Sequence, residues 1–443
     1  MDNEIEEVRD KFEPTGAVEN QLEPTPRTGL LAALGLGGIP RRAWLVTLLS
    51  LGGWLLVNAD GSLFNFTYPL IQKDLGLSDN QIALIYTTIY AVGAVSTFVA
   101  GPLMDKIGRK PIYQACLFAA ALGSLVTAAA PGFLILVLGR SITQIGAATE
   151  WMSGQVMVAE EAPAKVRGRL IGLAQIGYPL GFFLGALLSL LIVDRFGWRV
   201  LFIAGLLPVF LMMWARRSVD ETQRFQEEVA VEDTHPELKR NHIAQLFEPD
   251  LRRSSICISV WHLFYAFGAA GIISYLPTVY AHFHISLTNT FLSSAIATAF
   301  AAFGYILAAV LGEKYGRREI SAAFLTLGAI AGGFLAFAGS SFWLLTIFYG
   351  LFYFFTIGHI TAAVAFAAEV FPTRVRGTGT NLVAASEWVG FVAAGLTGPF
   401  LLSHVGYSAT LTLWCVICPL VAAAAALSMR RVAPGKLLEE VHR

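Results

Sequence analysis

Apolar residues run along this chain in blocks of about 20, the length of helix that crosses the hydrocarbon core of a bilayer. Six blocks precede the middle, at 44–71, 81–103, 111–130, 133–159, 170–193 and 198–214. Six follow it, at 254–280, 291–311, 320–338, 342–368, 378–402 and 407–429. Residues 216–253 between them are charged, with VDETQRFQEEVAVEDTHPELKRNH at the centre, and read as a solvated loop. The pattern predicts an all-α membrane protein with twelve transmembrane helices. The expected organisation is a disordered tail over 1–42, a six-helix bundle over 43–215, the central loop over 216–253, a second six-helix bundle over 254–429 and a tail over 430–443.

The two halves repeat. EEAPAKVRG (160–168) and EVFPTRVRG (369–377) share E-x-x-P-x-[KR]-V-R-G, and their prolines lie 209 positions apart (372 minus 163). DKIGRK (105–110) matches EKYGRR (313–318) at an offset of 208 (313 minus 105). Two coincidences at nearly one offset point to a duplicated six-span unit with pseudo-symmetry.

Charge then fixes an expected orientation. Of the Lys and Arg residues, only Lys73, Arg140, Arg195 and Arg199 fall outside the tails and loops that twelve spans assign to one side. By the positive-inside rule that side is the cytoplasm, so both termini are expected there, in an inner or plasma membrane. The first forty residues have no basic segment leading into a short apolar core, so no cleavable signal peptide is expected.

Composition agrees: 55% of the 443 residues are hydrophobic and 14% charged, against roughly 25% charged in ordinary globular domains. A formal net charge of zero lacks the basic footprint of a nucleic-acid-binding protein. Cys116, Cys257, Cys415 and Cys418 all lie in apolar blocks, where cysteine packs as a small hydrophobe. Cys415 and Cys418 form a C-x-x-C without a second ligand pair, so neither a metal nor another cofactor is expected. G-x-x-x-x-G-K-[ST], H-E-x-x-H and G-x-S-x-G are absent and no lysine lies within a span, which removes ATP-driven pumping, common hydrolases and a retinal Schiff base. The chain is not expected to be an enzyme.

Ionisable residues inside the apolar blocks are few: Asp60, Arg140, Glu150, His262, His359 and Glu387. Each is costly in a bilayer and is a functional candidate for that reason. Asp60, Glu150 and Glu387 are candidate proton carriers. Asp60 is expected either to load and unload a proton as hydration alternates, or to form a permanent ion pair with Arg140. Arg140 suits a bidentate carboxylate, whether the substrate's or that of Glu150. Asn58, Asn65, Gln144, Gln175, Tyr178, His262 and His359, with Arg140, are candidates for holding a small polar solute. Glu150 plus 209 falls on His359, so the repeat places two titratable groups at equivalent positions. Gly177, Gly181 and Gly185 form a double G-x-x-x-G register that permits close helix approach at a rocking interface.

GPLMDKIGRK (101–110) matches G-x-x-x-D-[RK]-x-G-R-[RK] at every defined position. That loop signature, with the segments 139–181 and 371–382, resembles the major facilitator superfamily, and within it the metabolite, sialate and lactate proton symporters and their sugar-porter and organic-ion relatives. The resemblance covers nearly the whole chain after the tail. It implies a secondary transporter, most simply a monomer, that moves a small polar metabolite by alternating access with proton symport, an organic acid being the expected class. The charges of the two motifs, Arg109, Arg167, Arg317 and Arg376 beside Asp105, Glu160, Glu313 and Glu369, read as a cytoplasmic gate that closes in one conformation and breaks in the other, and the resemblance gives the aspartate of the signature such a role. The second signature departs by Glu313 for aspartate and Ala309 for glycine. Glu387 stands where related organic-acid symporters often carry arginine, which keeps open the alternative of a uniporter or an organic-cation carrier. The expected partners are a small-molecule substrate, protons and lipid.

Overall fold

A computed structural model describes residues 38–204, 206, 220–222, 225–226, 242–339 and 341–432. The expected tails 1–37 and 433–443, most of the central loop and all but the start of the sixth span lie outside the described residues.

The first half comprises α1 (Arg41–Leu75), α2 (Asp79–Ile107), α3 (Arg109–Ala128), α4 (Phe133–Glu161), α5 (Arg167–Gln175) and α6 (Gly177–Ala204). The short α7 (His242–Gln245) precedes the second half: α8 (Arg252–His282), α9 (Leu287–Tyr315), α10 (Arg317–Phe337), α11 (Phe342–Gly358), α12 (Ile360–Val370), α13 (Arg376–Phe400), α14 (Tyr407–Thr412) and α15 (Cys418–Leu427). Among the described residues, ten helical stretches are long and apolar enough to cross a membrane. The expected fourth span is α4, a 29-residue helix that carries Arg140, Glu150, Glu160 and Glu161. The expected sixth starts beyond Gly197, whose φ of 77° breaks α6 in two. The helices are those of the twelve-span expectation.

Local chemistry explains the breaks. In both motif loops the glycine of the signature stands between two helices at positive φ, Gly108 at 105° and Gly316 at 109°, a region glycine enters without steric cost. The chain thus reverses tightly between α2 and α3, and again between α9 and α10. The expected tenth span is divided into α11 and α12 at His359, whose Nδ1 lies 2.5 Å from the Thr356 carbonyl and so competes with the helical ladder. The last two spans each contain a π-helical turn, Leu401–Val405 and Leu413–Ile417.

Large apolar side chains such as Leu134 (77% exposed), Phe337 (76%) and Phe303 (68%) face outward. So much exposed apolar surface is unfavourable in water and is what a bilayer solvates. The polar side chains are turned inward, where Arg109, Arg167 and Arg376 are each almost wholly buried.

The glycine register packs within the first half. A Cβ on Gly177 would lie 2.7 Å from the Leu51 carbonyl, and one on Gly181 2.9 Å from the Ala59 nitrogen, both on α1. The expectation of a rocking interface there is corrected: these glycines bind α6 to α1, and the halves meet elsewhere. Gly181→Ala is expected to cost about 1–3 kcal/mol through overpacking, read as a lower Tm in detergent with transport specificity unchanged.

Candidate functional site

The two sequence motifs meet on one face of the molecule, here called the motif face, and tie the halves together. Asp105 at the end of α2 accepts hydrogen bonds from the backbone N–H groups of Gly377 (2.9 Å) and Thr378 (2.6 Å) and from the Thr378 hydroxyl (2.7 Å). It therefore caps α13 of the other half, where free N–H groups and the helix dipole favour an anion. Glu313 at the end of α9 does the same for α5, accepting from the Arg169 N–H at 2.8 Å and pairing with its guanidinium at 2.7 Å.

Two arginine–glutamate–arginine sandwiches lie beside these caps. Glu160 is held by Arg109 of its own half at 3.2 Å and by Arg376 of the other half at 3.1 Å. Glu369 is held by Arg317 of its own half and by Arg167 of the other at 3.1 Å. The three residues of one sandwich map onto those of the other through the repeat. All eight residues expected in the gate are brought together, and the halves are latched shut on this face. Removing one partner from such a buried set leaves a stranded charge, a cost of about 3–5 kcal/mol. The central segment reinforces the latch: the Thr222 hydroxyl donates to Glu160 (2.6 Å), the Lys110 N–H donates to Glu221 (3.0 Å), and Phe225 lies 4.5 Å from the Arg109 guanidinium.

Asp60 pairs with Arg140 at 2.8 Å, and Ser124 donates a hydrogen bond to the same carboxylate. The Arg140 guanidinium lies 4.8 Å from the centre of the Phe64 ring and 5.8 Å from that of Phe202. Arg42 meets Glu161 at the motif face, and Asp60 lies eighteen residues further along α1, a rise of about 27 Å. The pair therefore sits toward the end of α1 away from the motif face. Its side chains are 13% and 5% exposed, with the carboxylate the wetter of the two. Arg140 serves Asp60 and not Glu150, which is fully buried inside the first half beside Gly53 and Tyr113.

Between the Asp60 pair and the gate, aromatic side chains line the seam. Tyr178 of α6 approaches Tyr353 of α11 across it, and Tyr90 of α2 stacks on Trp388 of α13 with ring centroids 6.0 Å apart. Trp54 stacks on Trp151 (5.5 Å) and lies 6.5 Å from Tyr178, while the Trp151 N–H donates to Gln175 at 3.2 Å. Four buried N–H donors here, Trp54 Nε1, Gln144 Nε2, Gln175 Nε2 and Trp388 Nε1, have no partner among the described residues. Buried donors are normally satisfied, which singles out these four among the polar groups of the seam.

The remaining candidates scatter. Asn58 donates to the Trp54 carbonyl of its own helix (2.6 Å). Asn65 is exposed and accepts from Tyr86 (2.9 Å) toward the far end of α1. His262 meets Glu387 at 2.7 Å. His359 accepts the Trp261 indole N–H at 3.3 Å, so both of its ring nitrogens are engaged within the protein. Trp54, Trp151, Tyr90, Trp388, Ser124, Arg169 and Thr378 join the site without having been expected. The repeat carried a signal for the last two, which immediately follow the V-R-G of each motif.

The Major Facilitator Superfamily model matches residues 44–264 and again 258–441, and the chain belongs to that superfamily. It is a multi-pass membrane transporter of small molecules and not an enzyme. It is similar to the niacin transporter NiaP of Acinetobacter baylyi, 25% identical over 90% of this chain and 95% of that protein. It is also similar to the 4-hydroxybenzoate transporter PcaK of the same organism, 24% identical over 92% of this chain and 95% of that one. The sialic acid transporter NanX of Escherichia coli is 25% identical over 88% of this chain and 91% of its own. Among solved structures, the proton:xylose symporter XylE superimposes with a TM-score of 0.71 over 90% of this chain and 98% of XylE, at 19% identity.

Proposed function

We propose that this protein is a proton-coupled symporter for a small organic acid with a flat or cyclic body, working by alternating access as a monomer in the plasma membrane. The motif face lies in the cytoplasm on this reading, because the basic loops cluster there. The observation that carries the substrate class is the set of unpartnered N–H donors among stacked aromatic rings. N–H donors without acceptors suit a carboxylate, and indole and phenol faces suit a planar body. The names of the relatives, niacin, 4-hydroxybenzoate and sialic acid transporters, agree with it.

Asp60 and Arg140 supply the coupling. Ionised, the pair is neutral and Arg140 is occupied by Asp60. A proton on Asp60, taken from the far side, frees the guanidinium to attract an anion, so proton and solute load together. The latched motif face is the state in which that loading occurs, and breaking the latch releases both to the cytoplasm.

Liposomes containing the purified protein test this reading. With an inward proton gradient, nicotinate, 4-hydroxybenzoate, sialate, glucose and choline are offered in turn. Concentrative uptake of at least one acid, abolished by a protonophore, is expected. Choline uptake without uptake of any acid would replace the reading with that of a cation carrier, for which Glu387 is the motivating residue.

A further inference from the structure

Glu387 and His262 stand apart from both the gate and the Asp60 pair. Glu387 lies eleven residues into α13 from Arg376, and His262 ten residues into α8 from Arg252. At about 1.5 Å per residue each is about 15 Å from the motif face, near the centre of a core about 30 Å thick. The His262 Nδ1 is 2.7 Å from Glu387 Oε1, and the two side chains are 0% and 5% exposed. His262 Nε2 is buried without a partner among the described residues.

Among the described residues, the surroundings bring no compensating cation. On α8 itself the neighbour is Tyr265, whose ring meets His359 at 4.6 Å, and both Tyr265 and Tyr305 of α9 lie within electrostatic reach of Glu387. His359, between α11 and α12, faces His262, but its Nε2 accepts from Trp261 and its Nδ1 donates to Thr356, which fixes it as a neutral ring. The buried titratable side chains of α11 are Tyr349 and Tyr353 and those of the last span Cys415 and Cys418, none of them basic. From the other half, α2 presents Tyr90 and α4 presents Gln144, beside Trp388. Arg140 of α4 is committed to Asp60, and Glu150 is turned toward Gly53. No arginine or lysine pairs with Glu387 among the described residues.

We propose that Glu387 and His262 form a second proton-binding site, in the C-terminal half. With a neutral imidazole and an ionised carboxylate the pair would hold one uncompensated negative charge in a dry interior, which desolvation strongly disfavours. One added proton, shared along the short contact, makes the pair neutral. The site adjoins Trp388 at the seam between the halves, so rocking apart at the motif face hydrates it and lets the proton leave. This rests on the symport reading and extends it: each cycle carries a proton in each half.

Infrared spectroscopy of the full-length protein in liposomes, titrated with acid and base and without any solute, reads the proton directly. A titrating carboxyl or imidazolium signal is expected that Glu387→Gln removes and that His262→Gln moves by a pH unit or more, a tenfold change in proton affinity. The same signal is expected to persist in Asp60→Asn. An identical titration in wild type and Glu387→Gln, each folded by circular dichroism, overturns the second site. If Asp60→Asn removes a titrating signal and Glu387→Gln removes none, the inference fails and the symport reading stands. If neither substitution removes a titrating signal, both fail.

Discussion

Asp60→Asn is expected to lower substrate-driven proton entry at least about 100-fold, equivalent to about 2.7 kcal/mol at 1.36 kcal/mol per tenfold step, in a protein that still reaches the membrane. The 2.8 Å contact with Arg140 is the reason. Asparagine cannot alternate between charge states, so Arg140 is never again screened by a carboxylate, and proton and solute binding become independent. Arg140, only 5% exposed, then lacks its counter-charge, and a lower Tm accompanies the loss. The double variant Asp60→Asn/Arg140→Gln separates chemistry from structure. It is expected to regain the Tm and not the coupling, measured by thermal unfolding and by a pH-sensitive dye inside liposomes. Recovery of both would make the pair a structural tie.

Glu160→Gln is expected to open the motif face. Its carboxylate lies between Arg109 and Arg376, and an amide leaves two buried guanidinium groups facing each other. Losing about 3–5 kcal/mol from the latched state moves a two-state equilibrium by roughly a hundredfold or more at 1.36 kcal/mol per tenfold step. Glu369→Gln removes the equivalent carboxylate from Arg167 and Arg317 and is expected to act in the same direction. Spin labels at Lys106→Cys and Lys314→Cys, both on exposed side chains of the two signature loops, report the change in a background without the four native cysteines. A longer mean distance in each glutamine variant is expected. An unchanged distance in both would mean that the caps by Asp105 and Glu313 hold the face shut alone.

Periodicity and charge placement made the spans legible, and the repeat marked the residues that meet at the motif face, because each span and each motif is carried by residues close in sequence. The glycine of each signature announced a turn that only positive φ permits, and Gly108 and Gly316 occupy it. Lateral pairing was not legible. Gly177, Gly181 and Gly185 declared a close helix contact, but nothing local says that its partner is α1. Arg140 offered two carboxylates and the sequence has no measure of which lies across from it; helix phase selects Asp60 and sends Glu150 into the interior beside Tyr113. The depth of Asp60 was not legible either: α1 is 35 residues long, more than a membrane core about 30 Å thick requires, and no local pattern fixes where it enters. The seam of Trp54, Trp151, Tyr90 and Trp388 was hidden for the same reason, since aromatic residues on apolar helices face lipid as readily as a cavity.

The most direct test of the central claim places the wild-type protein in liposomes loaded with a pH-sensitive dye, with voltage clamped at zero and no pH gradient imposed. Nicotinate or 4-hydroxybenzoate is added outside. Acidification of the interior that tracks solute entry, and that Asp60→Asn abolishes, is the result expected of a proton–acid symporter. Solute entry with no proton movement, unchanged in Asp60→Asn, would contradict it and make the protein a uniporter.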